Sequence, residues 1–470
     1  TPNGARLYLN VNIKEGDKNY RDDASKESNP PLIDAWVSSG NKGRTESARV
    51  FLQGGRTYPI RIDYFKYKER TGSIRFEWLP PNGAWSVPKD DQFSTRKGDQ
   101  LIVARTNFPP DDRSLGYERG SDMSKEWLSA VTRASLDVAE QIDSVLGHMS
   151  GIKSKDDPKK SEKLRAVARK ILERAYRRPL TQQEENQNIN FIFEESESPE
   201  IAVKRVVLLA IKSPHFLYPQ LPGGKVSPYQ IASRMALGLW DSIPDDELIG
   251  AARDGKLSDQ DYVRSQAERM LEDPRTRSKV IDFFYHWLDL DPERDLMKDN
   301  KIYPDFDLDK IADLRRSMNM FIEDILWSES SDYRELLLSS HLYLNQGLAE
   351  FYGQSIEGDK LKRVDFEKTE RSGLITHPYL LSHFSYSYNS SPIHRGVFLI
   401  RQMLGRTLKP PPQAVAFENQ KLDPGLSMRE KITHVTKDSN CMACHLIINS
   451  LGFSLENYDG IGRWRDIENN

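Results

Sequence analysis

The chain has 470 residues, 29% of them charged, and a formal net charge of −3. That length exceeds what one hydrophobic core organises, so several domains are expected, and the near-neutral balance suggests neither nucleic acid nor an anionic membrane as a partner. Mean hydropathy is −0.66, no apolar run reaches the roughly 18 residues that span a bilayer, and two cysteines in all leave none spare for disulfides.

The sequence opens on Thr1, directly in strand-like residues and with no signal peptide, as a mature or trimmed segment of something longer would. Residues 1–105 read as all-β. Ala5 to Val11 is one apolar strand, and Thr57 to Tyr64 alternates, with Tyr58, Ile60, Ile62 and Tyr64 on one side. Ser73 to Leu79 repeats the pattern with Ile74, Phe76 and Trp78, and a Pro-Pro-Asn-Gly turn follows at 80–83. The run LQGGRTYPIRIDYFKYKERTGSIRFEWLPPNG (52–83), with LIDAWVSSG (32–40), resembles the protective-antigen-type β-sandwich. That resemblance implies a sandwich fold, association with polysaccharide and, in some such domains, calcium held by adjacent aspartates. Asp22-Asp23 is the pair available for calcium, but it follows the first strand, and a solvated turn is the competing reading.

Residues 106–125 are rich in Pro, Asp, Gly and Ser and read as a linker. Lys125 to Leu146 is helical by periodicity, and the Lys/Ser/Asp run at 149–162 reads as a solvated loop, so 106–162 is taken as linker and helix. From Lys163 the chain is helical, with a first helical domain expected over 163–225. One helix stops at Pro179 and another starts at Thr181, where Thr181 and Glu184 have capping-box spacing. Arg174, Arg177 and Arg178 are candidates for a basic site, with pairing to carboxylates across that corner as the preferred expectation. A helical bundle is expected over 226–365. Ile231, Met235 and Leu239 line one face of its first helix, Pro244 and Asp245 open the next, and 269–290 reads as a further apolar helix carrying His286 as a core or surface residue. Two or three more helices follow over 311–353.

Residues 366–470 hold the chemistry. Ser391 to Gly396 reads as a turn feeding an apolar helix at 397–404, Pro410-Pro411-Pro412 forces an extended segment, and 428–435 starts a helix. That helix leads to Cys441-Met442-Ala443-Cys444-His445, which contains every cysteine of the chain. C-x-x-C-H is the attachment pattern of c-type haem: two thiols on one helical turn reach two vinyl groups, and the next residue becomes the proximal iron ligand. Cys441 and Cys444 are therefore the thioether anchors and His445 the iron ligand. A redox dithiol would need a thioredoxin-like βαβ context, and a zinc site a second cysteine pair, while two ordinary thiols beside a chance histidine remain as the bland reading. Haem c is attached outside the cytoplasm, so a periplasmic or extracellular location is expected.

The phrases RAYRRPLT, LWDSIPDDEL, RMLEDPR and LNQGLAEFYG, in that order, together with the C-terminal block, resemble the planctomycete-type multidomain c-type cytochromes, an uncharacterised family. LIINSLGFSLENYDGIGRWRD (446–466) is similar to that family's closing signature. Phe453 and Trp464 are expected to pack on the porphyrin, and Arg463 and Arg465 are candidates for its propionates, with surface pairing as the alternative. No Met or His follows His445, so the sixth ligand must come from upstream, from another chain, or be absent. His377 in GLITHP is the first choice, by its likeness to the family's polar site, and His383 the next. His394, Met403 and an open or water-bound iron complete the set, and a helix-capping or a Pro-preceding loop histidine is the structural alternative for His377.

Three functions follow. The first is a mono-haem electron-transfer protein of the cell envelope, working with a redox partner protein and tied to polysaccharide through the sandwich. The second is a haem oxidoreductase, peroxidase-like or glycan-active, with an open distal site served by His383 or Arg395. The third is a binding module in which haem is a covalent staple. Homo- or hetero-oligomers are compatible with each.

Overall fold

The computed structural model describes residues 3–9, 31–37, 43–52, 56–66, 72–80, 85–88, 92–94, 102–109, 124–152, 154, 156–218, 226–290, 296–367, 369–408, 423 and 425–468. Asp22-Asp23 and Pro410-Pro411-Pro412 lie outside these. The chain forms two compact units. One comprises Thr1–Arg75 with Asp90–Lys279, the other Phe76–Lys89 with Val280–Asn470.

In the first unit β1 (Gly4–Leu9) lies between β2 (Ile33–Ala35) and β3 (Ile60–Phe65) in one antiparallel sheet, with Leu7 opposite both Ile33 and Ile62. The side carrying Ile62 and Tyr64 is the more exposed one, while Arg61 lies over the Tyr8 ring at 4.0 Å. Ser73–Leu79 does not form the expected strand: among the described residues its backbone pairs at Trp78 with Ser86, in an antiparallel bridge assigned to the second unit, and Pro80 carries no N–H to extend a ladder.

Helices follow. They are α1 (Lys125–Gln141), α2 (Asp143–Ser150), α3 (Lys160–Tyr176), α4 (Gln182–Glu185), α5 (Phe191–Glu194), α6 (Pro199–Lys212) and α7 (Pro214–Leu217). Leu164, Ala168 and Leu172 on α3 meet Val203 and Val206 on α6 in one buried cluster. The capping box at Thr181 forms as its spacing requires, and Arg178, donating to both oxygens of Glu184, holds that carboxyl at about 2. Arg174 pairs with Asp246 at 3.2 Å, but Arg177 donates to the carbonyls of His215 and Phe216 instead of a carboxylate.

A second cluster gathers α8 (Pro228–Trp240), α9 (Asp246–Arg253) and α10 (Gln260–Leu271) around Trp240, Leu248 and Met270. The fully buried stripe of α8 is Ala232, Ala236 and Trp240, one position on from the stripe expected. Small residues let the helices close up there, and the larger Ile231, Met235 and Leu239 flank the contact half-buried. The apolar run at 269–290 is two helices, because Pro274 opens α11 (Pro274–Trp287) after a break at Glu272 and Asp273. His286 is exposed, with Nδ1 3.1 Å from the Asp282 carbonyl.

The second unit is built on α12 (Leu308–Leu326), whose Leu314, Met318, Phe321 and Ile322 are fully buried. α13 (Glu335–Leu338) is followed by β4 (His341–Leu344), α14 (Gln346–Phe351) and β5 (Lys362–Asp365), with β4 and β5 antiparallel. His341–Leu344 is thus a strand where a helix was expected. α15 (Pro378–His383), α16 (Pro392–Phe398), a π turn at Leu399–Met403, α17 (Met428–Val435) and α18 (Ser439–Phe453) complete the unit. Its apolar core runs without a break from Ile281 to Ile461, so residues on both sides of 365 share it.

Two constraints seat α18. Pro392 and Gly396 of α16 meet Gly452 and Ile448 of α18, so the helices run antiparallel. A methyl added at Gly396 or Gly452 would collide with a backbone carbonyl of the facing helix. Beyond the end of α18, the fully buried Arg395 donates to the carbonyls of Leu455, Tyr458 and Asp459 and to Ser385 Oγ, at 2.6 to 3.0 Å, and lies 3.6 Å from the Glu456 carboxylate. Replacing it with leucine removes the only charge facing those acceptors from α16. Arg395→Leu is expected to cost about 3–5 kcal/mol in urea unfolding; a change under about 1 kcal/mol would show that the turn holds without the clamp.

Candidate functional site

α18 starts because Asp438 caps it, accepting the Asn440 N–H at 2.9 Å, and it presents the motif in its first two turns. At 3.6 residues per turn, Cys441, His445, Ile448 and Gly452 fall on one stripe. That stripe is closed against α16 at Ile448 and Gly452. It opens toward the motif, where Cys441 and His445 are half-buried and Cys444 is exposed. The two thiols are free, and the neighbouring Leu446 and Ile447 are exposed apolar residues at 63% and 44%. Among the described residues no three His, Cys, Asp or Glu side chains converge as a metal cage would require.

His445 is held from one side. Its Nδ1 lies 3.0 Å from Asn449 Oδ1, one helical turn on, and Asn449 Nδ2 donates to Thr436 Oγ1 at 2.9 Å. Asn449 and Thr436 are both buried. The residues fit a covalent haem: two free thiols on one turn, reachable from outside, followed by an imidazole that among the described residues is oriented through Nδ1.

His377 has different work. It caps α15, with Nδ1 accepting the Tyr379 N–H at 3.2 Å. In a neutral ring the hydrogen is then on Nε2, which faces Ser317 Oγ at 3.3 Å. Burial, with Arg371 and His341 nearby, pushes its pKa down to about 3, so the ring stays neutral with both nitrogens occupied. The structure thus places His377, the first choice for a sixth ligand, as a helix-capping histidine. His383 ends the same helix, 1% exposed, its ring edge-on to Phe384 at 5.0 Å. Arg395, named for a distal role, is the buried clamp already described. His394 is exposed beside the Tyr386 ring, and Met403 lies half-buried on the π turn that also touches α18.

The four residues named from the closing signature sit at or beyond the opposite end of α18 from the cysteines. Phe453 is twelve residues beyond Cys441, about 18 Å along the helix, and its ring is covered by Arg429 at 5.0 Å. Trp464 packs on Tyr458, Arg463 is paired with Asp459 at 2.8 Å, and Arg465 lies 3.4 Å from the Glu456 carboxylate. The structure does not bring these four to the motif; the surface-pairing alternative describes both arginines. Sequence reading missed Asn449 and Thr436. The only available signal was the i, i+4 spacing of Asn449 from His445.

Three family models match the chain. PA14 matches residues 4–92, PSD4, described as a protein of unknown function (DUF1592), matches 226–354, and PSCyt3, described as a protein of unknown function (DUF1588), matches 371–468 and so includes the motif. No curated protein and no solved structure matches.

The His377 cap has a pH signature. Its folded value lies below the unfolded value of 6.5, so the unfolded chain takes up a proton that the folded chain refuses. Its part in stability is complete above pH 6.5 and falls as pH drops toward 3, by up to about 1.4 kcal/mol per pH unit. His377→Asn, which can still cap the helix, is expected to reduce that slope by one proton when unfolding is followed across this range. An unchanged slope would mean that His377 protonates freely in the folded protein.

Proposed function

We propose that this chain is a c-type cytochrome carrying one covalent haem at Cys441 and Cys444, working outside the cytoplasm as an electron-transfer protein. The observation that carries the reading is the arrangement of α18: free, accessible thiols on one turn beside an imidazole whose Nδ1 is engaged and whose Nε2 is left for iron. The PSCyt3 match over 371–468, a name that suggests a planctomycete cytochrome c-like family, supports it. When bound, the haem supplies a one-electron couple whose potential depends on its ligands and their hydrogen bonds.

The chain's own contribution is placement. Cys441 and Cys444 hold the group to the first turns of α18, His445 supplies the proximal nitrogen, and the α16 crossing fixes the helix that bears all three. The electron-transfer reading is preferred to the enzyme because the residues named for a distal acid–base role, His383 and Arg395, are 1% and 0% exposed. The PA14 match supports polysaccharide association as an accessory role, and no helix among the described residues is long and apolar enough to cross a membrane.

The full chain, expressed in a periplasm with haem-attachment machinery, is expected to retain haem through acid–acetone extraction and to show one pyridine haemochrome per chain. Cys441→Ala with Cys444→Ala abolishes that retention, and His377→Asn leaves the visible spectrum unchanged. Absence of covalent haem in the wild type would overturn the reading; a high-spin iron that binds cyanide or CO would replace electron transfer with the oxidoreductase.

A further inference from the structure

The hydrogen bonds behind His445 have a direction, set by a single group. The carbonyl oxygen of Ile432 can only accept, so the Thr436 hydroxyl, 2.7 Å away, gives it its one proton. With that proton committed, the Thr436 oxygen can only accept from Asn449, and the amide nitrogen must be the atom facing it at 2.9 Å. The amide oxygen is thereby turned to the imidazole, 3.0 Å from Nδ1. A carbonyl oxygen needs a donor, so Nδ1 bears the hydrogen and the lone pair of the neutral ring is at Nε2. Amide and imidazole orientations are usually assigned by convention; here one backbone carbonyl decides both. Thr436 and Asn449 are 4% and 7% exposed, so water does not compete for these bonds.

We propose that Asn449, oriented by Thr436, is the positioning residue for the iron ligand His445. It selects the tautomer with the lone pair on Nε2 and, by accepting from Nδ1–H, strengthens the ring as a donor to ferric iron. This rests on the haem reading above. The relay joins α18 to the C-terminal turn of α17, so the ligand's orientation depends on two helices.

The test compares wild type, Asn449→Leu and Asn449→Asp as full haem-loaded chains, reading the midpoint potential by spectroelectrochemical titration. Asn449→Leu removes the acceptor and is expected to raise the potential, changing the ratio of reduced to oxidised protein at a fixed poise on the order of tenfold, about 59 mV for one electron. Asn449→Asp puts a stronger acceptor at the same place and is expected to lower it. A purely structural role would not give opposite signs. If Asn449→Leu does not fold, Thr436→Val, which frees the amide to turn, takes its place and is expected to raise the potential. Haem-loaded variants whose potentials coincide with wild type, or move in one direction, overturn the positioning role and leave the haem reading standing. A wild-type chain without covalent haem overturns both.

Discussion

Buried cations set the geometry at the C-terminal end of α18. Arg395 has no exposed surface, and burying it is tolerable only because the turn after α18 offers it three carbonyls, with Ser385 and Glu456 beside them. Burial, helped by the like charges of Arg465 and Glu468 respectively, pushes the Arg395 pKa down and the Glu456 carboxyl up, while their mutual attraction opposes both shifts. The carbonyls are also at the negative end of α18, where a cation is favoured by the helix dipole. A second buried arginine, Arg371, works on the same turn. It donates to the carbonyls of Thr376 and Gly462 and lies near the rings of Tyr352, Phe366 and Tyr458. Between them these residues fix where α18 ends, and the glycine crossing fixes its path backward from there to the cysteines.

His377 and His445 show how the same side chain is set to opposite tasks. In His377 a backbone N–H points at Nδ1, which puts the hydrogen on Nε2 and leaves no lone pair free. In His445 an amide oxygen points at Nδ1, which puts the hydrogen there and leaves Nε2 available. The difference lies in what faces the ring and is invisible in GLITHP or in C-x-x-C-H taken alone. A histidine in an apolar phrase is as well explained by capping a buried helix as by a metal.

Local signals were legible where local chemistry decides. The capping residues Thr181 and Asp245 begin helices at the expected positions, the helix expected at 428–435 forms there, and the motif is on a helix as its spacing requires. Long-range decisions were not. The buried stripe of α8 follows its alanines because of what packs against them, and His341–Leu344 is a strand because β5, some twenty residues on, supplies its partner. Arg463 and Arg465 resembled anion-binding residues, but Asp459 and Glu456, which neutralise them, sit only four and nine positions away. Arg395 was masked by its sequence: an arginine after a histidine in SPIHRG gives no sign that it will be enclosed.

The uneven clasp on α18 has a consequence for how the thiols are reached. The helix is gripped over its C-terminal half, while in the half that bears the thiols Cys444 is exposed and Cys441 half-buried, so both can be approached without prising the core apart. On the haem reading proposed above, attachment at these thiols would need no rearrangement of the α16–α18 contact.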